Sequence, residues 1–125
     1  MALLASLPLS EFSSQLVKDE TLAQTPSNNV MGSAGKIFHL RVTNGSSSAK
    51  GHFKIWDQTT SVDHGTDHPV ISFPVTASQD QGVTIAEGLT FTNAISWAFT
   101  DTPGTAIGSA VVGGTLKVTA IVRST

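Results

Sequence analysis

From Lys36 to Arg123 the chain is written in a period of two. In Lys36-Ile37-Phe38-His39-Leu40-Arg41-Val42-Thr43 the apolar Phe38, Leu40 and Val42 alternate with His39, Arg41 and Thr43, the pattern of a strand with one buried face, because successive strand side chains point to opposite sides. Comparable runs follow at Phe53–Asp57, Pro69–Val75, Val83–Ala86, Leu89–Phe91, Ala94–Phe99 and Thr115–Arg123, separated by Asn, Asp, Gly, Pro and Ser. Short β-branched and aromatic runs between turn residues predict an all-β fold. Seven strands over ninety residues, roughly, is the density of an immunoglobulin-like or jelly-roll antiparallel β-sandwich.

The phase of each run predicts its inner face. Phe53 and Ile55 point inward with Lys54 and Trp56 opposite; Ile95, Trp97 and Phe99 share one face; Leu116, Val118, Ala120 and Val122 line another. Asn44-Gly45 between two such runs predicts a hairpin that brings Phe53–Asp57 back antiparallel to Lys36–Thr43. Pro74 cannot donate to a ladder, so Val70, Ser72 and Pro74 mark an edge strand open to a partner. Glu87-Gly88 predicts a break in direction or a bulge, with Gly88 at positive φ.

Residues 1–35 differ from the rest. Ser10–Lys18 predicts a short helical turn, capped by Ser10 with Phe12 and Leu16 on one side, and the small, polar stretch from Gln24 to Gly35 reads as a linker. The chain therefore divides into an N-terminal arm, 1–35, and a sandwich domain, 36–125. The apolar Leu7, Leu9, Phe12, Leu16 and Val17 make the arm a candidate partner-binding element, and its removal up to Ala34 is expected to leave the sandwich folded.

Composition narrows the function. Only 13% of residues are charged and the formal net charge is -2, which gives no electrostatic case for nucleic acid. Without cysteine there is no disulfide, thiolate metal site or thiol nucleophile. No apolar run is long enough for a membrane helix, and the opening Met1–Leu9 lacks the basic start of a signal peptide, so neither a membrane partner nor signal-directed export is expected.

Candidate chemistry concentrates in the loop Gln58–His68. Its Asp63, His64, Asp67 and His68 are the one dense cluster of possible metal ligands, but no third element is aimed at them, so they are read as a solvated turn and candidate loop contacts without a metal. There is no nucleophile elbow, phosphate loop or dinucleotide fingerprint. The chain is read as a non-enzyme without a cofactor.

The order of pieces across Phe53–Phe99 resembles a recurring type of small virion protein of tailed bacteriophages. The features that carry it are Phe53-Lys54-Ile55-Trp56-Asp57, the Gly/Thr/Asp loop ending in Pro69-Val70-Ile71-Ser72-Phe73-Pro74-Val75, then Gly82–Phe91 and Ala94-Ile95-Ser96-Trp97-Ala98. The resemblance implies a decoration or cement protein, made in the host cytoplasm and located on the capsid surface. Its partners would be the major capsid protein and its own copies, as a homo-oligomer and most plausibly a trimer. The alternative is a carbohydrate- or receptor-binding sandwich in which Trp56 or Trp97 stacks on a sugar.

Overall fold

A computed structural model describes residues 14–59 and 62–124. Its strands are β1 (Gln15–Asp19), β2 (Gly35–Asn44), β3 (Gly51–Trp56), β4 (Ile71–Val75), β5 (Gln79–Phe91), β6 (Ser96–Thr100) and β7 (Leu116–Ser124). They form two antiparallel sheets, a four-stranded one in the order β1-β7-β2-β5 and a three-stranded one in the order β4-β3-β6. The fold is an all-β antiparallel β-sandwich.

The core lies between the sheets, where side chains at the predicted phases meet except at the start of β2: the bulge between Ile37 and His39 resets the alternation, so Ile37 is buried and Phe38, expected inward, lies on the outer face under Arg123. Ile37, Leu40 and Val42 of β2 and Val118, Ala120 and Val122 of β7 face Phe53 and Ile55 of β3 and Trp97 and Phe99 of β6. All of these are essentially inaccessible. The Phe53 ring sits 5.5 Å from Phe73 and 6.0 Å from Trp97, both tilted, a spacing favourable for aromatic pairs. Gly51 opens β3 where no side chain fits, since a Cβ there would overlap the Phe99 ring.

The two sheets differ on their outer faces. β7 alternates buried and accessible residues, and so does the latter part of β2, leaving one side of the four-stranded sheet open. β3 and β6 are buried at every position. Their outer face lies under the loops that follow β3 and β6 and under an N-terminal strap, Leu22–Val30.

Three further local expectations are corrected or decided. Asn44-Gly45 is not a hairpin: β2 pairs with β5 and β7, whereas β3 pairs with β4 and β6, so the chain crosses there from one sheet to the other. The buried Asn44 side chain holds the crossing open, donating to the carbonyls of Ala49 (2.8 Å) and Val75 (3.0 Å) and accepting from the Ser46 amide (3.0 Å). Those tertiary bonds replace the local turn that the dipeptide favours.

Second, of the two outcomes expected at Glu87-Gly88 the structure has the bulge and not the break in direction. The stretch 83–91 belongs to a single β5 whose register jumps, Ile37 facing Leu89 and His39 facing Thr84, so Ile85–Gly88 bulge out opposite Phe38. Gly88 takes a φ of 80°, as the bulge requires. Third, no helix forms over Gln15–Asp19. The segment pairs with β7 from Gln15↔Val122 to Asp19↔Val118, because the open edge of β7 offers a ladder that an isolated helical turn cannot match. Leu7, Leu9 and Phe12 lie outside the described residues.

The rest of the segment read as linker is also bound to the sandwich. Ser27 exchanges two backbone bonds with Trp97, Ala23 accepts from the Phe99 amide and Val30 donates to Ile95, so the strap runs along the free edge of β6. Asp19 joins strap and core, accepting from the Trp97 indole (2.9 Å) and the Ser27 hydroxyl (2.9 Å). Burial pushes the Asp19 carboxyl up, but these bonds together with those from Thr21 outweigh it and hold it below its ordinary range.

Candidate functional site

The covered side of the molecule is built on His52, Lys54 and Trp56, the outward positions of β3. Lys54 is fully buried. Its Nζ lies 3.0 Å from His64 Nε2 and donates to the Ala106 carbonyl at 2.5 Å. His64 Nδ1 lies 2.8 Å from the Gln24 carbonyl; a carbonyl only accepts, so Nδ1 carries the proton and the neutral ring's Nε2 accepts from the Lys54 ammonium. One buried lysine thus ties β3 to three covering segments: the strap through Gln24, the β3–β4 loop through His64 and the β6–β7 loop through Ala106.

The electrostatics follow from that burial. Desolvation lowers the Lys54 pKa, partly opposed by the Asp101 carboxylate. The His64 pKa is lowered first by burial and further by the Lys54 charge, against the bond to Gln24. His52 is lowered by burial and by the charges of Lys50 and Lys54, and its buried Nδ1 has no hydrogen-bond partner. Trp56 and the His64 ring meet edge to face, centroids 5.1 Å apart, and the indole N–H donates to the Asp67 carbonyl at 3.0 Å.

This arrangement separates the four loop residues picked out in the sequence. His64 is a buried structural group, which corrects its reading as part of a solvated turn: Lys54 and Gln24 occupy both ring nitrogens. Asp67 closes the loop on itself, accepting from the Asp63 amide (2.7 Å) and the Gln58 side chain (3.0 Å), which holds its carboxyl below the usual carboxylate range. Asp63 is exposed. His68 Nδ1 pairs with the Thr105 hydroxyl at 2.9 Å. Among the described residues no three His, Asp or Glu side chains converge as a ligand set.

The other sequence-picked residues also fall in place. β4 is an edge of the three-stranded sheet; Ser72 and Pro74 are exposed on it, and Val70, just before it, is exposed while its amide donates to the Ile55 carbonyl. Leu16 and Val17 lie on β1, Leu16 58% exposed and Val17 packed against the core. Trp56 and Trp97 are both fully buried with their indole N–H groups bonded. Neither presents a face for a sugar to stack on, which removes the geometry expected of a carbohydrate site.

The open side is the outer face of the four-stranded sheet. Register and burial place Lys18 of β1, Lys36 and Arg41 of β2, and Lys117 and Arg123 of β7 there, five of the seven basic residues of the chain. Lys36 and Arg123 are direct cross-strand partners, a like-charge pairing that disfavours the sheet. Arg123 turns over the Phe38 ring, 5.2 Å from its centroid. Arg41 pairs with Asp80 at 2.5 Å, the only ion pair among the described residues. Glu87 lies in the β5 bulge opposite Phe38.

Most of this face was present in the sequence as charges at the outward phase of β2 and β7. A net charge of -2 concealed it, because Asp57, Asp63, Asp67 and Asp101 lie in the loops after β3 and β6. Buried Lys54 carried a weaker signal, a lysine inside an otherwise apolar and aromatic strand. A groove of about 320 Å³ lies between the strap and the end of the β6–β7 loop. Glu20, Thr21 and Gln24 line it beside Val111 and Leu116, with no histidine or lysine. The chain matches no protein-family model, no curated protein and no solved structure.

Proposed function

We propose that the chain is a structural attachment protein of a tailed-bacteriophage virion, seated on the head as a decoration or cement protein that stabilises the shell. The observation that carries the reading is the contrast between its two sides. Loops and strap cover β3 and β6 of the three-stranded sheet, and two of the side chains able to do acid–base chemistry there, Lys54 and His64, are spent on holding those covers down. The described residues leave the outer face of the four-stranded sheet uncovered, the form suited to burying area against another protein. The resemblance across Phe53–Phe99 names the kind of assembly.

In this role the major capsid protein is the partner. Copies close into a symmetric oligomer, a trimer at threefold positions, through strand edges such as β4 and β5. The test is the protein content and heat resistance of purified virions. The chain should be present in fixed ratio to the major capsid protein, and heads assembled without it should release their contents at lower temperature. Its absence from purified virions would overturn the reading.

A further inference from the structure

On the decoration reading, which this step rests on, we infer that the outer face of the four-stranded sheet is the docking surface and that its partner is a protein surface with carboxylates around an apolar centre. Lys117, Thr119, Ile121 and Arg123 all point outward along β7, a span of about 20 Å at ~3.3 Å per residue, and four strands at ~4.8 Å spacing give a width of about 14 Å. Midway along the strands, Leu16 of edge strand β1 and Ile121 of β7 are cross-strand neighbours, 58% and 40% exposed, with His39 of β2 on the other side of Ile121. Lys36 and Arg123 lie toward one end, Lys18, Arg41 and Lys117 toward the other. An apolar centre inside a charged rim is the anatomy of a protein interface.

The same residues argue against other occupants. A single-stranded nucleic acid needs aromatic faces on which bases stack; among the described residues this face carries two aromatic rings, Phe38, which Arg123 covers, and His39, whose Nδ1 pairs with the Thr84 hydroxyl. A second copy docked face to face would set lysine against lysine. Docked on its loop side, it would meet carboxylates most of which are already engaged, leaving Asp63 as the exposed one: Asp57 accepts from the amides of Thr92, Asn93 and Ala94, Asp67 from that of Asp63, and Asp101 from that of Ser109. The face therefore fits acids that another protein supplies.

The experiment measures binding to heads assembled without the chain, for the wild type, Lys18→Glu/Lys117→Glu, Ile121→Asp and, on the loop side, Lys50→Glu. All four replaced side chains are exposed, and thermal melting checks that each variant folds; a Lys18→Gln/Lys117→Gln variant repeats the test without charge reversal. Wild-type binding should weaken at least about tenfold between about 50 and 500 mM salt as the charges are screened. The charge reversal and Ile121→Asp should each lose about tenfold or more, and Lys50→Glu should stay within about twofold. Heads that bind the wild type but take the folded reversal variant equally well, or bind without salt dependence, overturn this inference and leave the decoration reading standing. Wild type that does not bind heads removes both. Wild type that binds a mixed-sequence 20-nucleotide single strand as tightly as heads, with loss on charge reversal, overturns the protein partner in favour of a polyanion.

Discussion

Replacing Lys54 by Met keeps the length and packing of the side chain while removing its ammonium. His64 Nε2 is then a buried acceptor without a donor, which costs about 1–3 kcal/mol, and the carbonyl of exposed Ala106 loses a charge-assisted bond worth about 1.5–3 kcal/mol. Against this gross loss of about 2.5–6 kcal/mol stands the desolvation of a buried ammonium, which methionine does not incur. The expected net destabilisation is about 1–3 kcal/mol, a fall in melting midpoint of about 5–10 °C for a chain of this length.

The pH dependence supplies the stricter test. Because the folded-state pKa of His64 is depressed from its ordinary value of 6.5, the native state binds fewer protons than the unfolded chain below that pH. The stability is complete above about pH 6.5 and is lost as pH falls toward the depressed value. Part of the depression comes from the Lys54 charge, which also opposes protonation of His52. Removing that charge should therefore shrink the acid loss, and the gap between wild type and Lys54→Met should narrow from pH 7.5 to pH 5.5. Thermal melts by circular dichroism at the two pH values measure it. A gap that is constant with pH, or absent at pH 7.5, would refute the buried Lys54–His64 bond.

Trp97→Ala should cost about 3–5 kcal/mol in urea unfolding, since it empties the centre of the core and leaves Asp19 without its indole donor. Gly51→Ala should cost about 1–3 kcal/mol by forcing the Phe99 ring from its place, with the melting midpoint as readout. Deleting Met1–Ala34 should lower the melting midpoint by about 10 °C or more, contrary to the expectation from sequence, because it strips β1 from β7, the strap from β6, Leu22 from the core and the Gln24 carbonyl from His64. A truncated protein that melts within about 2 °C of the full chain would return those residues to the status of a free arm.

Strand alternation carried most of the fold. A side chain's phase on a strand is a local property, so Ile55, Trp97 and Val118 could be assigned to the core, and Lys54 and Trp56 to the opposite face, before any strand had a partner. Pro74 marked an edge for an equally local reason, its missing donor. Which strands pair is not local: Asn44-Gly45 is a hairpin signal that the buried amide of Asn44 overrides by bonding residues as distant as Val75. Likewise Gln15–Asp19 has no strand signal of its own and becomes one only because β7 presents an unpaired edge. The sealed and open sides were beyond the sequence for the same reason. Net charge is a sum over residues, whereas a cationic face needs Lys18, Arg41 and Arg123 from three strands to be laid side by side, and a lysine can be buried only where folding brings His64 and the Ala106 carbonyl to its ammonium.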